Sequence, residues 1–277
     1  MPFTLLPESA GDFSRTDSGF LLPCPGTNAR QLGLLLSPET ETNIPALPVE
    51  SNPILCHISP MSLNYEELDF RQTPLGDLML RRRKLIGHGG MEIYEVKLGE
   101  YFLMSSLFHE AEHQLAKLAL AELDGGELDV AVGGLGLGYT AASALEDPRV
   151  SSLVVVEYLS GVVEWHQNGL VPLGGTLTRD PRCRLVQADF FALSKDTAKS
   201  FDPNRPGIKH DAVLLDIDHT PTHTLHQTNT RFYTAEGLSE LARHLKPGGV
   251  FALWADGKPE NSFTDHLGRV FESAKAH

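Results

Sequence analysis

The sequence predicts an α/β fold in which a doubly wound, mostly parallel sheet follows a small antiparallel β-domain. In the second half of the chain, short apolar runs alternate with helical segments, which is typical of parallel strands buried on both faces. Between Tyr65 and Met104 apolar and polar residues alternate and glycines mark turns, which indicates hairpins. We expect residues 1–60 to form a poorly structured or draped extension, 61–105 the β-domain and 106–277 the main domain.

Composition and charge exclude several classes of function. Hydrophobic residues make up 41% of the 277 residues and charged residues 21%, as in ordinary soluble globular proteins. The formal charge of −13 argues against nucleic acid, whose phosphates require a basic surface. The three cysteines (Cys24, Cys56 and Cys183) are isolated, which indicates a reducing compartment. With no basic leader and no long apolar run, we expect a cytoplasmic protein that does not bind a membrane.

The amino-acid composition and the hydrophobic pattern of the chain change at about residue 60. The preceding extension is rich in Pro, Ser, Thr and Asn, with one candidate strand near Gln31–Leu36. The hairpins that follow include a basic run, Arg81–Lys84, which we interpret as a solvated or subunit-facing edge. A helix is then predicted in LFHEAEHQLAKLALAEL, where Leu107, Ala111 and Leu115 recur at helical spacing.

The main domain is predicted from alternating strands and helices. The predicted strands are LDVAVGG, SSLVVVE, CRLVQAD, DAVLLDID and VFALWAD, and the predicted helices are YTAASALE, LSGVVEWHQNG and TAEGLSELARHL. After the last strand, ENSFTDHLGRVFESAKAH supplies a helix but no further β-hairpin. We therefore expect either a truncated chain or another strand, from a partner or elsewhere, at that edge of the sheet.

A glycine-rich turn follows the first of these strands. In VGGLGLG, residues Gly134, Gly136 and Gly138 come directly after a strand and open a helix, and Gly133 precedes them. Glycines there permit positive φ angles and let the backbone approach a ligand closely. Glu157 ends the next strand, where its carboxylate can accept hydrogen bonds from ribose hydroxyls. Binders of nicotinamide, flavin and S-adenosylmethionine share this pattern.

Acidic residues at the ends of the other strands narrow the choice of ligand. Asp189 ends one strand and precedes Phe190, a pair that suits an adenine; Asp216 and Asp218 end another. Because ligands of open α/β sheets bind at the carboxyl ends of the strands, these carboxylates are expected to converge. They would repel a pyrophosphate and attract a sulfonium cation, so the pattern favours an adenosyl-sulfonium ligand over NAD.

Histidines occur in two further segments. His219, His223 and His226 lie in a Pro-containing loop beside the aspartates, where a metal site is conceivable but a gate over the site is favoured, so we expect no metal. His109 and His113 lie one helical turn apart, and a pocket wall with a solvated face is favoured over metal binding there as well.

These motifs together resemble the spermidine synthases, the polyamine aminopropyltransferases. VGGLGLGYTAASALEDPRVSSLVVVE is similar to the family's GGGDGG turn and VEID strand, QADFFAL to its G-D-G/A stretch, and LLDIDHTP to its D-S-S-D-P loop. RFYTAEGLSEL, HLKPGGVFALW and FHEAEHQLAKLAL are similar to its L-Y/F-T-x-E-F-Y, L-x-P-G-G and Y-H-E segments. The resemblance extends from about Glu66 to Asp265 and implies a Rossmann-like fold of the class I methyltransferase type.

The resemblance also implies a reaction and its residues. An alkyl group, usually aminopropyl, would pass from a sulfonium nucleoside to a small-molecule amine in a homodimer. Its co-substrate would be S-adenosylmethionine or the decarboxylated form. By motif, the catalytic residues are Asp216 and Asp218, with Asp216 the candidate base; the alternative is that Asp218 caps the following loop and only Asp216 faces the pocket. The predicted nucleoside ligands are Gly133, Gly134, Gly136, Gly138, Glu157, Asp189 and Phe190, and the predicted substrate-binding residues are His109, Glu110, His219 and Tyr233.

Departures from the family pattern leave two alternatives open. The aspartate of GGGDGG, beside which the family binds the aminopropyl amine, falls on Gly136. The second aspartate of D-S-S-D falls on His219, and Phe108 replaces the tyrosine of Y-H-E. The loss of the acid at position 136 favours a methyltransferase that uses S-adenosylmethionine itself. A nucleoside-binding protein without turnover is the other alternative, against which the retained Asp216 and Glu157 argue.

Overall fold

The computed structural model describes residues 2–7, 65–85, 90–196 and 198–277, with only the backbone described for 2–7. The strands in these ranges are β1 Pro2–Pro7, β2 Tyr65–Thr73, β3 Gly76–Leu85, β4 Met91–Leu98, β5 Tyr101–Ser105, β6 Leu128–Gly133, β7 Val150–Glu157, β8 Cys183–Gln187, β9 His210–Leu215, β10 Leu245–Ala255 and β11 Ser273–Ala276. The helices are α1 Glu110–Ala121, α2 Tyr139–Glu146, α3 Ser160–Gln167, α4 Gly174–Arg179, α5 Phe190–Lys195, α6 Ala235–Ala242 and α7 Asn261–Val270, and a 3-10 helix covers Gln227–Tyr233.

The larger sheet has seven strands in the order β11-β1-β10-β9-β6-β7-β8, and every pairing in it is parallel. Successive residues of its central strands belong to two different cores. Along β6, Val130 and Val132 join one buried cluster and Ala131 joins the other. Because side chains of a strand alternate between faces, the sheet is covered on both sides. The structure confirms the predicted doubly wound parallel sheet.

The smaller sheet consists of β2 to β5 in sequential antiparallel order, as the hairpin pattern predicts. Its inward leucines, Leu78 and Leu80, are fully buried and belong to the same core cluster as the main sheet. The basic run on β3 is paired across the strands: Arg81 and Arg83 each bind the carboxylate of Glu95, at 2.5 and 2.7 Å. This pairing accounts for two of the basic residues that the sequence placed on a solvated or subunit-facing edge.

The edge of the sheet beyond β10 is covered by the start of the same chain. Strand β1 runs parallel to β10, with Phe3 opposite Phe251 and Pro7 opposite Ala255. β11 then pairs with the other side of β1. The sequence pattern assigns Pro2–Pro7 to an extension and predicts a strand from a partner or elsewhere at this edge, whereas in the structure β1 occupies it. The exposed N–H and C=O groups of β10 account for the pairing, because an unpaired edge attracts any available strand.

The remaining predictions for the first 64 residues, including the strand near Gln31–Leu36 and the environments of Cys24 and Cys56, lie outside the described residues. Cys183 is a free thiol. Within the ranges described, the helices are too short and too polar to cross a membrane.

Candidate active site

The glycine turn between β6 and α2 adopts backbone angles that side chains resist. Gly134, Gly136 and Gly138 have φ angles of +95°, +47° and +94°. A Cβ atom on Gly134 would lie 2.0 Å from the backbone oxygen of Asp216, so no side chain fits there. The Gly134 amide donates to the carbonyl of Val156 at 2.9 Å, which ties the turn to the end of β7. The turn is therefore held close against two neighbouring strand ends.

Glu157 at the end of β7 is held by backbone amides on both sides. Its Oε2 accepts from the Leu135 amide at 3.0 Å, and its Oε1 accepts from the Leu159 amide at 2.8 Å. Burial raises the pKa of this carboxyl, and the surrounding amide N–H groups oppose that effect. The side chain lines the cavity and fixes the glycine turn relative to the start of α3.

The end of β8 presents a carboxylate beside an aromatic wall. Asp189 caps α5, accepting from the Ala192 amide at 3.1 Å. Phe190 is buried and stacks on Phe201 with ring centroids 4.8 Å apart. Asp189, Phe190 and Phe191 all line the cavity, so the predicted acid–aromatic pair is in place.

Asp216 lies directly after β9, at the centre of the row of strand ends. Its amide donates to the Gly133 carbonyl at 2.8 Å, and its Oδ2 accepts from the Thr140 hydroxyl at 2.8 Å. Burial raises the pKa of this carboxyl from 3.8 to about 6, against the effect of the Thr140 hydrogen bond. Asp216 therefore lines the cavity with a carboxyl group that burial makes harder to ionise.

Asp218, two residues later, has a different environment. Its carboxylate is 1% exposed and accepts hydrogen bonds from the Leu225 amide (2.6 Å), the Asn229 side chain (3.0 Å) and the Tyr233 hydroxyl (2.8 Å). The structure thus places Asp218 and Tyr233, both predicted to face the substrate, behind the wall. They tie the loop after β9 to the 3-10 helix.

At the start of α1, the side chains that face the cavity are not the predicted ones. His109 stacks on Tyr139, with ring centroids 4.2 Å apart, and does not reach the wall. Glu110 is exposed and accepts from the Gln114 amide at 2.6 Å. Glu112 lines the cavity instead, because on a helix it points to a different face from Glu110. His219, the other predicted substrate-binding histidine, lines the cavity.

Two side chains that the sequence analysis did not single out shape the glycine turn. Met104 on β5 lines the cavity, and its sulfur accepts from the Leu137 amide at 3.1 Å. A Cβ atom on Gly136 would lie 2.5 Å from that sulfur. On the other side, buried His166 bonds the Gly136 carbonyl at 2.9 Å through Nε2, which carries the proton because a carbonyl only accepts. Both contacts join distant segments, and neither has a local sequence signal.

The cavity has a volume of about 310 Å³. Because its wall is built from neighbouring strand ends, the strand order divides it into two halves, one on each side of Asp216. On one side of Asp216 lie the glycine turn, Glu157 and Asp189. On the other side, where β10 neighbours β9, lies Trp254. Apolar side chains from the small sheet, from its β2–β3 turn and from the start of α3 close the cavity, namely Leu75, Val96, Leu98, Leu103, Leu159 and Val162.

The charges on the cavity wall have one sign. Four carboxylates line it, from Glu112, Glu157, Asp189 and Asp216, whereas no Lys or Arg side chain of the described residues does. In those residues we also find no group of three or more His, Cys, Asp or Glu side chains placed to hold a metal ion. The wall therefore favours cations and disfavours phosphate and carboxylate groups.

Comparison with known proteins shows the fold. No protein-family model matches the chain. The structure is similar to a spermidine synthase in complex with the transition state analogue AdoDATO, with 17% identity, a TM-score of 0.54 and coverage of 74% of this chain and 64% of that one. The fold is spermidine synthase-like. The spermidine synthase from Thermotoga maritima gives 16% identity, a TM-score of 0.53 and coverage of 74% and 62%. This chain thus spans less than two thirds of the length of these two spermidine synthases.

Proposed function

We propose that the chain transfers an aminopropyl or related alkyl group from a decarboxylated sulfonium nucleoside to an amine. The observation that carries this proposal is the wall of four carboxylates, with no Lys or Arg among the described residues that line the cavity. The α-carboxylate of S-adenosylmethionine would find no cationic partner there. A decarboxylated donor and an amine acceptor both carry the positive charge that such a wall stabilises.

The nucleoside is assigned to the half of the cavity that contains the glycine turn. Glu157 is placed to accept from the ribose hydroxyls, and Asp189 with Phe190 to bind the adenine. The glycine turn is assigned to the nucleoside because it lies on the cavity wall between these groups, and Gly134 and Gly136 are required there since a Cβ atom at either position would collide with protein atoms. This assignment leaves the half near Glu112, Trp254 and His219 for the acceptor amine.

The reaction is a displacement at the carbon attached to the sulfonium. The amine nitrogen forms a bond to that carbon, and the C–S bond breaks with its electron pair going to sulfur. The protein's task is to align the two reactants, remove a proton from the ammonium and exclude water. Asp216 is the group we assign to the ammonium, since its carboxyl has a pKa of about 6 and is therefore ionised at pH 7. Asp218 holds the loop that follows β9 in place.

A second candidate, methyl transfer from S-adenosylmethionine, is favoured by one observation. Gly136 stands where the spermidine synthase motif has an aspartate. The Met104 sulfur fills the space that a side chain at position 136 would need. A neutral thioether at this place provides no anchor for the amine of an aminopropyl group. The two candidates therefore differ in the donor, and the acceptor half of the cavity is common to both.

The test is a product assay by mass spectrometry with two donors, S-adenosylmethionine and its decarboxylated form, against a panel of primary amines. We expect an alkylated amine and methylthioadenosine from the decarboxylated donor alone. The variant Asp216→Asn should lose more than about 100-fold in rate while nucleoside affinity stays within about tenfold. Asp265→Asn, at an exposed position on α7, is the matched control and should keep the full rate. Methylated amine as the only product would refute aminopropyl transfer.

Homodimer formation remains part of this proposal. It is supported by large apolar side chains of the small sheet that are about half exposed, namely Tyr65, Phe70, Met91, Tyr101 and Phe102. Several large apolar side chains exposed on one small sheet are a feature of protein interfaces. Analytical ultracentrifugation should give twice the monomer mass, and a monomer at all concentrations would contradict this part.

A further inference from the structure

The loop after β9 carries two imidazoles, one on the cavity wall and one in solvent. His219 lines the cavity and is partly buried, whereas His223 is exposed. Their ring centroids are 5.2 Å apart, and the ring of Tyr101 on β5 lies 6.4 Å from His219 and 6.2 Å from His223. At this separation one water molecule suffices to link the two imidazoles.

The spacing of the two rings is fixed by the backbone. The amide of His223 donates to the Thr220 carbonyl at 3.2 Å and the Thr220 amide donates back to the His223 carbonyl at 3.3 Å, closing a tight turn. The Asp256 amide donates to the His219 carbonyl at 2.7 Å, which attaches the loop to the end of β10. The buried Asp218 attaches its other end through Leu225. These hydrogen bonds hold the backbone of the loop and so keep His219 and His223 close together.

The ring of His219 is neutral at pH 7, chiefly because it is partly buried. Burial lowers its pKa below 6.5, His223 lowers it further, and Asp256 and Asp218 partly oppose this. Glu112, Asp216 and His226 line the same cavity, and Tyr101 faces the ring from β5. A neutral imidazole can accept a proton, and Asp218 cannot compete for this role because its oxygens are occupied by three donors.

We propose that His219 and His223 form a proton path from the cavity to solvent. This inference rests on the proposed function, because a proton must leave when an ammonium acceptor becomes a nucleophile. The ammonium gives one proton to Asp216, the free amine attacks the sulfonium carbon, and the sulfide leaves with the C–S electron pair. The proton on Asp216 then passes to His219, on to His223 and into water, so each turnover releases one proton and regenerates every group.

The kinetic test uses His219→Gln and His223→Gln. His219→Gln should lower kcat at least tenfold at pH 7.5, change the pH profile of kcat, and regain activity when free imidazole is added. His223→Gln should show a smaller loss with the same imidazole rescue. Asp265→Asn, at an exposed position on α7, should stay within twofold of the unchanged protein. Methylthioadenosine affinity and the circular dichroism spectrum of each variant show whether it is folded.

A second measurement does not depend on turnover. NMR titration of the histidines should show that His223→Gln raises the pKa of His219, because a like charge has been removed. An unchanged His219 titration would overturn the path, as would a folded His219→Gln variant with an unaltered rate and pH profile. If the unchanged protein alkylates no amine from either donor, the proposed function fails, and the NMR titration alone then decides whether the two imidazoles are coupled.

Discussion

Replacing Asp216 by asparagine should stabilise the protein while abolishing its reaction. The carboxyl ionises at about pH 6 in the folded protein, compared with 3.8 for an ordinary aspartate, because burial disfavours the charge. This difference corresponds to about 3 kcal/mol at 1.36 kcal/mol per pH unit. The stability present below pH 3.8 is therefore lost as the pH rises through 6. Asparagine stays neutral and still accepts from the Thr140 hydroxyl, so it avoids this loss.

The assay is urea unfolding, followed by circular dichroism, at several pH values between 4.5 and 8. Asp216→Asn should exceed the unchanged protein in unfolding free energy by up to about 3 kcal/mol at pH 8, an upper limit because cavity water screens the charge. The difference should shrink steadily towards pH 4.5. Asp265→Asn, which is exposed, should follow the unchanged protein throughout. Equal differences at pH 4.5 and pH 8, or a variant that is less stable at pH 8, would refute the reasoning.

Three further predictions concern the turn, the loop and the opposite end of the sheet. Gly134→Ala places a Cβ atom 2.0 Å from the Asp216 carbonyl, so methylthioadenosine should no longer raise the melting temperature of this variant; a normal rise would contradict the tight turn. Asp218→Asn turns an amide donor towards the groups that donate to it, so limited proteolysis between residues 219 and 226 should accelerate. Burial lowers the pKa of His210 from 6.5 to about 4, so the unfolded chain gains a proton first and stability falls by about 3 kcal/mol as the pH drops from 6.5 to 4. His210→Phe should flatten that fall in urea unfolding, and parallel curves would argue against it.

The sequence predicts the parts of the fold and site that depend on local pattern. Continuous apolar runs identify the central strands, and in a parallel sheet their carboxyl ends meet at one edge. For that reason the convergence of Glu157, Asp189 and Asp216 with the glycine turn is predictable from sequence alone. Glu157 ends β7, Asp216 directly follows β9, and Asp189 lies two residues after β8 as the N-cap of α5, so the place of each is fixed by its own element.

The remainder depends on contacts between segments that are distant in the chain. Met104 reaches Gly136 from another sheet, and β1 pairs with β10 from the opposite end of the sequence. The sequence also leaves open whether Asp218 faces the cavity with Asp216 or caps the following loop. Both aspartates follow the same strand, and only the tertiary position of Asn229, Tyr233 and the loop amides decides which of them is enclosed.

The most direct test of the charge argument is calorimetric titration with decarboxylated S-adenosylmethionine, S-adenosylmethionine and methylthioadenosine. A cavity with four carboxylates and no Lys or Arg among its described lining residues should bind the decarboxylated form at least tenfold more tightly than S-adenosylmethionine. Methylthioadenosine, which shares the nucleoside, should bind as well. Tighter binding of S-adenosylmethionine, or no binding of any of the three at millimolar concentration, would contradict the account.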